Sequence, residues 1–172
     1  RDVTGVQTCA LPIWKPLKEI AEAVLELTED IVDLQVICPL HPNERVRGAL
    51  EPVLGGKPRI HLIEPLDYLS FCHLMNKVTF VLSDSGGIQE EAPALGKPVL
   101  VLREKTERPE AVAAGTVKLV GCKKQKIYDT ARRLLKDHSF YKAMAQAQNP
   151  YGDGKASSRI VDFLAGINYL AQ

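Results

Sequence analysis

The feature that most constrains this chain is its alternation of short β-rich runs with segments of helical periodicity. Leu34–Pro39, Arg59–Ile63, Val78–Leu82, Pro98–Leu102 and Thr116–Val120 are brief and rich in apolar, β-branched residues. Between and around them apolar residues recur at helical spacing, as with Leu17, Ile20, Ala21, Val24 and Leu27 in a helix from Lys15 to about Leu27. Further helices are expected from Asn43 to Leu54, Asp67 to Met75, Gly86 to Leu95, Gln125 to Leu135, Phe140 to Gln146, and from Ala156 onward. Asn43 and Asp67 are the expected N-caps, while Pro52 and Gly55-Gly56 end the second helix. Strands joined through helices by a few residues build a parallel sheet covered on both faces. The almost wholly apolar Val78-Thr-Phe-Val-Leu82 suits such a doubly buried sheet. The expected fold class is therefore α/β, a doubly wound parallel sheet. Such sheets bind ligands at the carboxyl ends of their strands, near the point where strand order reverses.

Charge narrows the partners. The 172 residues carry 22 Lys+Arg against 21 Asp+Glu, a net charge of +1 with no block of one sign. That argues against nucleic acid or a membrane surface as a partner held by bulk electrostatics. No apolar run approaches the roughly 20 residues of a membrane-spanning helix. Cys9, Cys38, Cys72 and Cys122 show no metal-ligand spacing and read as core or incidental thiols in a reducing cytoplasm. No metal and no cofactor is expected.

Residues 1–14 stand apart. RDVTGVQTCALPIW has charges only at Arg1 and Asp2, and its Pro12 and single basic residue do not suit a secretory signal. It resembles translated adaptor sequence at the broken end of a reading frame, so it is read as a non-native leader, poorly packed and outside the fold. Both methionines, Met75 and Met144, are internal, which leads to the expectation of a piece of a longer protein.

The most informative stretch is Ser83-Asp-Ser-Gly-Gly-Ile-Gln-Glu-Glu91, after a buried strand and at the start of a helix. Gly86 and Gly87 let phosphates approach the backbone, and the unpaired N–H groups of the first helical turn favour an anion. Ser85 is placed to cap the helix or donate to the same phosphate, and Glu91 to accept from two ribose hydroxyls. On its own the run reads also as a tight capped turn. Neither GxGxxG nor a P-loop is present. Arg108, before Pro109 in the loop after the next strand, is the better-placed cation for phosphate, although a mixed-charge loop accounts for it too. His41 ends a strand and faces the same edge. His61, His73 and His138 are expected to be structural or solvated.

Ser83 to Pro98, Val99 to Arg103, Thr106-Glu-Arg-Pro-Glu-Ala111, Gly115-Thr-Val117 and Asn149-Pro-Tyr-Gly-Asp-Gly154 together resemble the non-hydrolysing UDP-N-acetylglucosamine 2-epimerases. The resemblance runs upstream through His41-Pro-Asn43 and Leu62-Ile-Glu-Pro-Leu-Asp-Tyr-Leu69, and covers roughly Lys15 to Leu164. It implies a Rossmann-like domain, the carboxyl-terminal half of a two-domain enzyme of GT-B type. Residues 15–155 would form the UDP-binding domain, and the helix within 156–172 would cross back to the amino-terminal domain. That helix should then carry an unpartnered apolar face of Ile160, Phe163, Leu164 and Ile167.

The resemblance also implies roles. Ser85, Gly86 and Gly87 would hold the diphosphate, Glu91 the ribose, and Phe71 with the backbone near Pro65 the uracil. Arg108 would approach the diphosphate or sugar, and His41 would face the interdomain cleft, where some members bind an activating UDP-GlcNAc. The implied reaction interconverts UDP-GlcNAc and UDP-ManNAc by eliminating UDP and re-adding it on the other face. Its proton-transferring carboxylates belong to the amino-terminal domain, so no catalytic residue carries over and the chain alone is expected to be inactive. The family's Gly-His-Arg-Arg-Glu-Asn segment would lie just before Lys15. A cytoplasmic homodimer serving cell-envelope polysaccharide synthesis is implied for the whole enzyme. Alternatives are a GT-B glycosyltransferase domain, a hydrolysing epimerase, or a non-catalytic nucleotide-sugar sensor.

Overall fold

The computed structural model describes residues 3–7 and 14–169. Among these residues six parallel strands form one sheet: β1 (Val3–Gln7), β2 (Gln35–Pro39), β3 (Ile60–Ile63), β4 (Phe80–Ser83), β5 (Val99–Val101) and β6 (Val117–Leu119). Their spatial order is β3-β2-β1-β4-β5-β6, so strand order reverses between β1 and β4. The helices are α1 (Trp14–Asp30), α2 (Glu44–Leu54), α3 (Tyr68–Lys77), α4 (Gly86–Ala94), α5 (Pro109–Ala114), α6 (Lys124–Lys136), α7 (His138–Ala145) and α8 (Ala156–Tyr169).

Two expectations are corrected here. The segment set aside as a poorly packed leader supplies the central strand: β1 pairs with β2 on one side and β4 on the other, Gly5 lying opposite both Ile37 and Val81. A strand in that place is held by main-chain pairing on both edges, which asks less of its own composition than an edge or half-exposed strand does. The second correction is α5, which lies where the sequence reads as polar loop. Pro109 opens it at the first helical turn, where its missing N–H costs nothing, and Gly115 closes it at φ +83.

The period-two alternation of the strands divides the core. Val36, Cys38, Phe80, Leu82, Leu100 and Leu102 pack with the apolar stripes of α1, α2 and α6 on one face. Val81, Val99, Val101 and Val117 pack with Met75, Ile88, Ala92 and Ala111 from α3, α4 and α5 on the other. Burial of Cys38 pushes its thiol pKa up to about 12, as expected of a core thiol. Asn43 and Asp67 cap α2 and α3 as the sequence indicates, accepting from the N–H of Arg45 at 2.9 Å and of Ser70 at 3.0 Å. Among the described residues no helix is long and apolar enough to cross a membrane. Along α8 every residue through Gly166 is exposed, including Ile160, Val161, Phe163 and Leu164, the last three at 63, 69 and 55 %.

Candidate functional site

Strand β4 ends at the reversal in strand order and passes through Asp84 and Ser85 into α4. Ser85 takes the N-cap position with extended backbone, yet its hydroxyl makes no capping bond. Its N–H is instead fixed by the Ser83 hydroxyl at 3.1 Å. The first turn of α4 therefore presents its N–H groups outward beside a serine hydroxyl, the arrangement that favours an anion.

Neighbouring side chains close around this helix start. A Cβ on Gly86 would lie 2.9 Å from Glu107 Oε1 and 4.0 Å from Arg108 Nη2, the ends of two long side chains that border the helix start. At Gly87 the nearest atoms would be Glu91 Oε1 at 3.6 Å and Ser85 Oγ at 3.9 Å. Ser85, Gly86, Gly87, Glu91 and Arg108 thus lie together at the start of α4. Arg108 donates from Nε to Glu90, which raises its pKa further, and Arg103 donates to Glu107 at 3.0 Å. Glu107, bonded by its own backbone N–H and facing Arg103, has its carboxyl held below the usual range.

Other residues named from the sequence stand further off. Phe71 is half-buried on α3 against the Met75, Val78 and Val81 cluster, and Pro65 is exposed in the loop after β3. His41 lies beyond β2, where its Nδ1 accepts the Asn43 N–H at 3.1 Å. His61 meets Gln35 across the sheet edge at 2.9 Å, as a structural histidine would.

The structure also adds residues that sequence reasoning passed over. The Tyr68 hydroxyl donates to Glu91 Oε2 at 3.2 Å, leaving Oε1 turned toward Gly87. Shared with the Cys72 thiol and facing the Glu91 carboxylate, that phenol has its pKa pushed up to about 12 and stays a donor at neutral pH. Tyr68, Leu69, Cys72, Met75, Glu91 and Leu95 line a groove of about 340 Å³ between α3 and α4. Gln89, wholly buried, and Thr106 lie beneath the helix start and link it to the Arg108 loop. The one sequence sign of Gln89's place was its position four residues after Ser85, on the inward face of α4. Among the described residues no group of His, Cys, Asp and Glu is placed to hold a metal ion.

Comparison with known proteins identifies the family. Residues 13–165 match the family model for UDP-N-acetylglucosamine 2-epimerase. The chain is 52% identical over 147 residues to the UDP-N-acetylglucosamine 2-epimerase of Escherichia coli K12, covering 86% of this chain and 39% of that protein. It therefore spans about two fifths of that relative's length. A crystal structure of the Neisseria meningitidis enzyme, described as bound to UDP-GlcNAc, superimposes with a TM-score of 0.89 at 46% identity, over 96% of this chain and 45% of that one. In fold alone, the C-terminal domain of a Francisella tularensis group 1 glycosyl transferase is also similar, with a TM-score of 0.64 at 18% identity over 87% of this chain and 82% of that one. Family model, sequence identity and fold agree: this chain belongs to the UDP-N-acetylglucosamine 2-epimerase family.

Proposed function

We propose that this chain is the UDP-binding part of a non-hydrolysing UDP-N-acetylglucosamine 2-epimerase. The observation that carries this is the convergence of Ser85, Gly86, Gly87, Glu91 and Arg108 on the start of α4. The free N–H groups and the Arg108 guanidinium supply a diphosphate with donors, and Glu91 offers Oε1 to a ribose hydroxyl while Tyr68 holds Oε2. The half-buried Phe71 ring and the Pro65 backbone flank the base. His41 faces the cleft toward a second domain, in reach of an effector. Ile160, Phe163 and Leu164 on α8 dock against that domain, which contributes the carboxylates for proton transfer at C2 of the sugar. Donors aimed at the diphosphate stabilise UDP as it leaves and before it re-adds. Residues 1–14 are of foreign origin although β1 completes the sheet. The whole enzyme works as a cytoplasmic homodimer.

Calorimetry with UDP tests the site. The chain should bind, and Glu91→Ala should weaken binding on the order of tenfold, the worth of one charge-assisted hydrogen bond. No heat at millimolar UDP, or unchanged affinity in the variant, counts against the assignment. In the same preparation no UDP-ManNAc should form from UDP-GlcNAc.

A further inference from the structure

A three-link chain of hydrogen bonds runs beneath the helix start from Ser85 to Arg108, and its two inner members, Gln89 and Thr106, are not ligand-binding residues in the reading above. The Gln89 side-chain amide donates to the Ser85 carbonyl at 3.2 Å, and its Oε1 accepts from the Thr106 hydroxyl at 2.5 Å. Thr106 Oγ1 in turn accepts the backbone N–H of Arg108 at 3.0 Å.

The direction of every link is fixed by chemistry. A carbonyl only accepts, so the NH₂ of Gln89 must face Ser85 and its oxygen must face Thr106. A backbone N–H only donates, so Thr106 must accept from Arg108 and spend its single proton on Gln89. Turning the Gln89 amide over would set its oxygen against the Ser85 carbonyl. Gln89 is also wholly buried, so a broken link there is not made good by solvent.

We infer that Gln89 and Thr106 are positioning residues that tie the loop carrying Arg108 to the N-cap of α4, so that the Arg108 guanidinium is held over the site's diphosphate end. This rests on the UDP-site reading proposed above. The relay fixes the backbone of Arg108 from below, and Glu90 fixes Nε from the side. With both set, Nη2 comes to the approach over Gly86. Neither Gln89 nor Thr106 needs to touch the ligand. Their effect is to place one cation without a search through loop conformations at the moment of binding.

The test is UDP calorimetry on the full chain with Thr106→Val, Thr106→Ser and Gln89→Met, each alone and with Arg108→Ala, alongside thermal melts. Thr106→Val and Gln89→Met should each weaken UDP binding on the order of tenfold, and Thr106→Ser, which restores the hydroxyl, should stay within about twofold of the parent. In the Arg108→Ala background the same substitutions should cost nothing further, because the group they position is gone. A merely structural role would lower the melting temperature and leave this coupling at zero. Parent-like UDP affinity in a folded Thr106→Val or Gln89→Met chain overturns the relay while the site reading stands. An equal loss with and without Arg108 does the same. If one variant does not fold, the other carries the comparison, and if both fail, Thr106→Ser decides: a loss as large as that from Arg108→Ala sinks the relay. A parent chain that gives no UDP heat overturns the site reading and the relay together.

Discussion

Arg59 is the residue whose backbone and side chain are in clearest opposition. Its φ of 65° is one that a residue bearing a Cβ adopts at a cost. Its guanidinium, however, caps the carboxyl end of α1, donating to the Ile31 carbonyl at 2.8 Å and also to the carbonyls of Thr28 and Val32. A cation on the last carbonyls of a helix meets both their unpaired lone pairs and the negative pole of the dipole. Arg59→Ala keeps the strained φ and loses the cap, so it should destabilise the fold by about 1–2 kcal/mol. Arg59→Gly relieves the φ and should recover part of that loss. Denaturant melts of the two variants check this, and equal stability of Arg59→Ala with the parent would rule the cap out. Nothing in Lys57-Pro-Arg59 marks this role, because the carbonyls it serves lie about 30 residues upstream. The Gln89–Thr106 relay was hidden for the same reason: its partners are 17 residues apart and meet only once β4 and β5 are side by side.

At the scale of elements, most of the architecture was legible. Strands β2, β3, β5 and β6 fall within the apolar runs that mark them and β4 overruns its run by Ser83 alone; β4 and β5, buried on both faces, announce themselves by composition. The capped starts of α2 and α3 were equally plain, because a cap is a local bond between near neighbours. Strand β1 was not, since its place is conferred by the pairing edges of β2 and β4 and not by its own residues. That has a consequence which its foreign appearance conceals. Deleting residues 1–9 leaves β2 and β4 facing each other across two strand spacings, about 10 Å, with unpaired main-chain groups on both. The shortened chain should lose its cooperative thermal transition, as followed by near-UV circular dichroism. Retention of a sharp melt would mean that the sheet does not depend on β1. On α8 the apolar stripe at Ile160, Phe163 and Leu164 was legible from helical spacing, and the structure leaves it exposed.

At the scale of the molecule, the response to acid follows from where the carboxylates sit. Asp67 is held low first by the Ser70 hydroxyl and N–H, Asp137 by the Phe140 N–H, Asp30 by Arg132, and Asp153 by Arg159. Each native pKa lies below the unfolded value of 3.8, so as pH falls the unfolded chain takes up protons first. Their contribution is complete above the unfolded value and is lost as pH falls through the native ones. The melting temperature should therefore be nearly level above about pH 5 and fall steadily below about pH 4. A melting temperature unchanged at pH 3 would show that these pairs and caps contribute nothing. The overall near-balance of 22 basic and 21 acidic residues is repeated in miniature at the start of α4. There the Glu107 carboxylate already lies against Gly86, between Arg103 and the pole of the helix. On the reading proposed above, a diphosphate at this pole meets that carboxylate beside the Arg108 guanidinium. In a molecule nearly neutral as a whole, the protein's own acid then sets a local threshold that an incoming anion has to exceed.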